Sequence, residues 1–258
     1  MRGTGWSGVT HGVILPVLGW KLTGAVVSEL PLDPRGAQGM QVATKSARRA
    51  CMAVSILLSL FTKAWAHPHV WVTVETNLVQ DKGHFTALQH KWTFDEYYTA
   101  AATEELHKNS DGQYDRDQLA ELAKINVDGL KEFGYFTYTV LGDQPVKLGD
   151  ARDYRIEYSN DALSLVFTLP LDPPLVAQTG KDLTILVLDP TYFIAYEFAK
   201  TDPVRLSGSG SQSCKVAIAE LAEGSPEAQR LSTAFAELGA DLGYTQIASI
   251  SCTAAAPQ

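Results

Sequence analysis

The sequence predicts an α+β fold: a mainly antiparallel sheet, two consecutive helices inserted after the first hairpin, and one C-terminal helix. Three observations carry this. Val70–Val79 and Phe85–Phe94 are strand-like runs around Gln80-Asp81-Lys82-Gly83, which reads as a hairpin. Residues 95–133 then carry helical spacing, with Asp95 as a cap and Gly134 as a stop. From Tyr135 to Ala199 the chain breaks into short strand-like runs with no helix between them, unlike the alternation that builds a parallel sheet.

Ahead of this domain stands a three-part secretory signal over residues 40–66. Lys45, Arg48 and Arg49 form a basic lead, and Met52–Phe61 is the apolar run. That run is about half the ~20 residues a membrane helix needs. Ala64 and Ala66 supply the small residues before a cut after Ala66. Residues 1–39 read as an over-long start and not as a domain. Arg48-Arg49 raises a twin-Arg route, but Ala50-Cys51-Met52 matches it poorly, which favours the general secretory route.

Cleavage leaves His67–Gln258, a single exported α+β domain of 192 residues with no transmembrane span. Fourteen Lys and Arg against 27 Asp and Glu give it a net charge of −13. Such a surface repels phosphate backbones, so nucleic acid is excluded as a partner. Cys214 and Cys252 are the two cysteines left after the cut. An exported pair most simply forms a disulfide. A thiolate metal pair is the rival, without a Cys-x-x-Cys spacing to support it.

The elements follow in order. Val70, Val72 and Val74 alternate with Trp71, Thr73 and Glu75 in the first strand. A tight turn at 81–82 pairs residues whose numbers sum to 163 or 164, setting His69 opposite Phe94 or Asp95 and His67 near Glu96 or Tyr97. Asp95 caps a helix that runs to about His107, with Glu96 in its first turn. A loop over Asn109–Asp115 leads to a helix over Asp115–Phe133, stopped by Gly134. Strands are expected at Tyr135–Leu141, Tyr154–Tyr158, Leu163–Leu169, Leu183–Leu188 and Tyr192–Ala199, with Asp189-Pro190-Thr191 as a turn between the last two. Ser207–Ser213 reads as a polar stretch. Short strands at Lys215–Ile218 and Ile247–Ser251 flank a helix over Ser225–Leu238, which opens on Ser225 and Pro226.

Chemistry concentrates at the new N-terminus. His67 and His69 offer two imidazoles, and His67 adds its amino nitrogen. The amino-terminal square-planar copper/nickel motif is blocked, because Pro68 has no amide N–H to ionise. What remains is a brace from His67, or a His67/His69 pair completed by Asp95 or Glu96, with His90 a further candidate ligand. The ions that suit it are nickel, cobalt, zinc or copper. A plain strand entry with no metal is the other reading. His84 and His90 are expected on one strand face with Leu88 and Trp92, and His107 as a cation at a helix C-terminus. The loop after His107 has EF-hand spacing about Gly112, but Gln118 stands where the bidentate Glu belongs, so calcium is not expected. No nucleophile elbow, P-loop or dinucleotide fingerprint is present, and adjacent carboxylates at a helix start are usually caps; an enzyme is not expected.

Several segments together resemble a known family. They are His67-Pro68-His69-Val70-Trp71-Val72 after the signal, Trp92-Thr93-Phe94-Asp95-Glu96, Phe133-Gly134-Tyr135-Phe136-Thr137, Leu169-Pro170-Leu171, and Asp189-Pro190-Thr191-Tyr192-Phe193-Ile194. The pattern is similar to an uncharacterised bacterial family described as periplasmic components of ABC-type transport systems. The likeness covers nearly all of residues 67–200. Members often stand beside nickel/cobalt-type membrane transporters. The resemblance implies a periplasmic accessory role linked to metal, with a membrane transporter or permease as partner. The chain is short for a two-lobed solute receptor. A structural or interaction module without metal is the competing class.

Overall fold

The structure is a computed structural model. It describes residues 68–176, 180–209, 213–235 and 245–253, with Leu238 and Leu242. The segment read as a secretory signal (residues 40–66), residues 1–39 and His67 lie outside the described residues.

Two sheets carry the fold. The first contains β1 (Val70–Asp81), β2 (His84–Phe94), β5 (Arg152–Ser159), β6 (Ala162–Val176), β8 (Ile194–Phe198) and β9 (Val204–Gly208). Its order is β5-β6-β2-β1-β8, with β9 also paired to β1. The second runs β10-β11-β7-β3-β4 and contains β3 (Thr137–Leu141), β4 (Gln144–Pro145), β7 (Leu183–Val187), β10 (Ser213–Glu220) and β11 (Gln246–Thr253). Pairing is antiparallel except where β1 meets β8 and β9. The fold is therefore the expected α+β class. Helices α1 (Glu96–Thr103) and α2 (Arg116–Lys131) follow the first hairpin, and α3 (Pro226–Ala234) is the C-terminal helix.

The main core joins both sheets. Val72, Val74, Trp92 and Phe167 from the first meet Leu183, Ile185, Val187, Ala248 and Ile250 from the second, with Val127 and Leu130 of α2. Alternation explains it: β1 buries every second residue. The opposite face of the second sheet buries Val140, Leu186 and Leu188 against Ala228 and Leu231 of α3. Burial on both faces leaves every residue of β7 buried, Thr184 included. The expected disulfide is present: Cys214 and Cys252 face each other across β10 and β11, with Cα atoms 4.1 Å apart.

The structure corrects five details. The hairpin turns at Lys82 and Gly83, both in the left-handed region, and the register shifts after Val79. Val72 therefore faces Phe94, and Asp95 comes beside Trp71 and not His69. The same irregularity, near Phe85–Ala87, turns His84 outward while His90 points inward. Helix α1 ends at Thr103, four residues before His107. Val204–Gly208, partly read as polar linker, is a strand, because Thr76–Gln80 supplies it with a parallel partner. The strand expected from Tyr192 starts at Ile194, since Tyr192 has φ 56°.

Among the described residues, no helix is long and apolar enough to cross a membrane.

Candidate functional site

Three segments distant in sequence meet where β1 begins. The entry to β1 brings His69 and Trp71. The end of β2 and start of α1 bring Asp95, Glu96 and Tyr97. The loop before β8 brings Asp189 to Phe193. Two aspartates hold them in place.

Asp95 fixes one side. Its Oδ2 accepts the Trp71 N–H at 2.6 Å, and its own N–H donates to the Trp71 carbonyl at 3.0 Å. Its Oδ1 caps α1 by accepting the Tyr98 N–H at 2.8 Å. The carboxylate thus ties the strand entry to the helix start. Glu96 is exposed in the first turn of α1.

Asp189 fixes the other side and is buried. Its Oδ1 accepts the Thr191 N–H at 2.8 Å and the Thr191 hydroxyl at 2.7 Å, and its Oδ2 accepts the Ile194 N–H at 3.1 Å. Pro190 and the left-handed Tyr192 complete a loop whose shape this carboxylate dictates. The Phe193 carbonyl then accepts the N–H groups of His69 and Val70, at 2.9 and 3.3 Å.

His69 is exposed, and its ring lies 4.9 Å from that of Phe193, centroid to centroid. Each of the three segments carries an exposed ring: Trp71 is 47% exposed, Tyr97 74% and Tyr192 40%. The loop's other flank opens on a groove of about 630 Å³, lined in part by Phe133, Gly134, Phe136, Pro190 and Thr191. Gly134, Tyr135 and Phe136 are consecutive left-handed residues there, a strained turn whose two aromatic side chains are buried in the main core.

The remaining candidates lie elsewhere. His90 is fully buried; its Nδ1 is 2.9 Å from Thr76 Oγ1, and its ring packs on Trp92 and Phe167. Burial lowers its pKa to about 3, so it is neutral. It is therefore not brought to His69. Trp92 and Phe94 are core residues. The Tyr98 hydroxyl donates to Asn126 Oδ1 at 2.9 Å, and burial pushes its pKa up to about 12. In the Asn109–Asp115 loop, Asn109 Oδ1 accepts the N–H groups of Asp111 and Gln113, and Asp115 caps α2. His107 sits past the end of α1, where its N–H donates to Gln118. Among the described residues, no three His, Cys, Asp or Glu side chains gather closely enough to hold an ion.

Sequence reasoning missed Phe193 as the neighbour of His69, and the exposure of Tyr97. A signal existed for the first: Asp-Pro-Thr before a strand builds its loop around the aspartate and so fixes the strand entry.

The chain is similar to an uncharacterized protein of Haemophilus influenzae, 24% identical over 163 residues, covering 62% of this chain and 77% of that protein. It is also similar to an uncharacterized 15.5 kDa protein in the trpE 3′ region of Spirochaeta aurantia, 30% identical over 107 residues, covering 40% of this chain and 75% of that protein. The family model described as protein of unknown function (DUF1007) matches residues 52–246, and the chain belongs to that family.

Proposed function

We propose that the protein is a non-catalytic periplasmic accessory component of an ABC-type membrane transport system. It handles a transition metal, whether nickel, cobalt, zinc or copper, at a site built on His67 and His69 of the chain cleaved after Ala66. One observation carries the reading. His69 is exposed at the meeting point of three motif segments, fixed through Phe193 on one side and beside the Asp95–Trp71 clamp on the other. Precise seating of an exposed imidazole suits a ligand better than a strand entry that only needs to be polar. The partner is the permease to which the ion passes.

Calorimetry on protein cleaved after Ala66 tests this. Binding of at least one of the four ions at pH 7 is expected. His67→Ala and His69→Ala should each weaken it, and a Met placed before His67 should weaken it if the amine is a ligand. No binding of any of the four ions ends the metal reading.

A second reading has its own observation. Asp95 and Asp189 spend their carboxylates on backbone N–H groups, and Trp92 and Phe94 build the core. On that reading the motifs make a scaffold, and the exposed rings make an interaction module without metal.

A further inference from the structure

A sheet edge shows a row of unpaired N–H and C=O groups to any other strand that meets it. Among the described residues, three of the four sheet edges are guarded. Strand β5 carries Arg152, Asp153, Arg155 and Glu157, with a register shift between Arg152 and Arg155 and a left-handed Asp153. The edge formed by β8 and β9 is split into two five-residue strands, with Asp202 and Pro203 between them. Strand β4 is two residues long and ends in Pro145. Strand β10 is the fourth edge, and it is charged only at Lys215 and Glu220. It runs for eight residues, Ser213–Glu220, contains no proline, and keeps one antiparallel register with β11 from end to end. The Cys214–Cys252 disulfide ties it to β11, so this edge is a straight and fixed template.

Strand β10 is also complementary to itself. Alternation puts Lys215, Ala217 and Ala219 on the exposed side, while Val216 and Ile218 pack partly buried against the main core. Antiparallel pairing with a second β10 about a two-fold axis at Ala217 sets Val216 opposite Ile218 of the other copy, apolar against apolar. On the exposed side it sets Lys215 opposite Ala219, and Ala217 opposite its own counterpart, where methyl groups let the backbones close. The cation Lys215 and the anion Glu220 stand toward opposite ends of the strand. Antiparallel pairing brings the basic end of each copy beside the acidic end of the other; parallel pairing would set like beside like. The segment has no net charge, in a cleaved chain that carries −13. We infer that β10 is a homodimerisation edge: two copies pair antiparallel through it, and two five-stranded sheets become one continuous sheet. Eight residues a side is a small contact, and repulsion between acidic copies opposes it, so the dimer is reversible, with a Kd on the order of 1–100 µM. The inference stands independently of the metal reading.

The test uses the chain cleaved after Ala66 with its disulfide intact. Sedimentation velocity from about 1 to about 200 µM should show a dimer that grows with concentration. Two substitutions at the exposed Ala219 decide where it forms. Ala219→Glu faces Lys215 of the other copy twice across the axis and should tighten the dimer by about twofold to thirtyfold. Ala219→Lys sets like charges there and should weaken it by a similar factor. A contact governed by net charge alone predicts the reverse order, since the first substitution adds to the repulsion between acidic copies and the second relieves it. Ala217→Cys should cross-link to its own counterpart under a mild oxidant, because directly opposed residues stand about 5 Å apart at Cβ. Ala219→Cys should not, since its counterpart lies four residues along the pair, about 13 Å away. A chain that stays monomeric to about 200 µM, the reverse order of the two Ala219 variants, or cross-linking at Ala219 as fast as at Ala217 overturns the inference.

Discussion

Asp95 grips Trp71 from both sides, accepting its N–H at 2.6 Å and donating to its carbonyl at 3.0 Å. The same carboxylate caps α1 through the Tyr98 N–H. Asp95→Ala removes both side-chain bonds and should cost about 1–3 kcal/mol, a lost cap plus a charge-assisted hydrogen bond. Asp95→Asn should keep more than half of that. Urea midpoints of the three proteins at neutral pH check it; equal midpoints for Ala and wild type would show that the clamp is dispensable.

His90 makes stability fall with acidity. Its folded-state pKa, about 3, lies below the ordinary 6.5, because burial disfavours the imidazolium. The unfolded chain therefore takes up a proton first as pH drops. The contribution is complete above about pH 6.5 and is lost as pH falls from there towards about 3, at about 1.4 kcal/mol per unit at most. His90→Gln can still hydrogen-bond Thr76 and cannot titrate. Its unfolding free energy, followed from pH 7 to pH 4, should have a shallower slope than wild type. Parallel slopes would assign the acid sensitivity to other groups.

Cys214 and Cys252 close a long loop between adjacent strands. Replacing both with Ser should cost about 3–4 kcal/mol in the chain-entropy account. Thermal unfolding with and without reductant measures it: the wild type should lose stability on reduction and the double variant should not respond.

Gly208 permits β9 to approach β1. A Cβ there would lie 1.9 Å from the Gln80 carbonyl oxygen, and its φ is +98°. Gly208→Ala should cost about 1–3 kcal/mol from backbone strain alone, with the clash in addition. Hydrogen exchange should quicken along Val204–Gly208 first. Unchanged protection in that strand would count against the contact.

Much of the architecture was legible in local chemistry. Asp95 and Ser225 read as helix caps, and each accepts the backbone N–H such a cap should, whereas Asp115, read only as the first residue of its helix, is also a cap. The valines of β1 announced its buried face. Pairing at a distance was not legible. Nothing local to Val204–Gly208 says that Thr76–Gln80 lies beside it, and a bulge of one residue moved Asp95 from His69 to Trp71. The candidate site was visible as residues but not as a place. His69 and Asp189 carried the right chemistry, while their meeting through Phe193 depends on a parallel pairing of β1 with β8 that periodicity cannot express. His90 shows the same limit: a histidine among apolar neighbours reads alike whether its ring faces a ligand or a threonine.

The parallel pairing of β1 also sets a timetable. Strand β1 is the first of the described strands to be synthesised, yet β8 and β9, which flank it at Val70–Val74 and Thr76–Gln80, come from near the far end of the chain. Until they arrive, one edge of β1 shows its unpaired amides and carbonyls, with only the β2 hairpin closed on the other side. The nascent chain therefore carries an adhesive edge through most of its own production, and non-local pairing of this kind is slow to form. The acidity of the domain, with its mutual repulsion between copies, is the protection it carries during that wait.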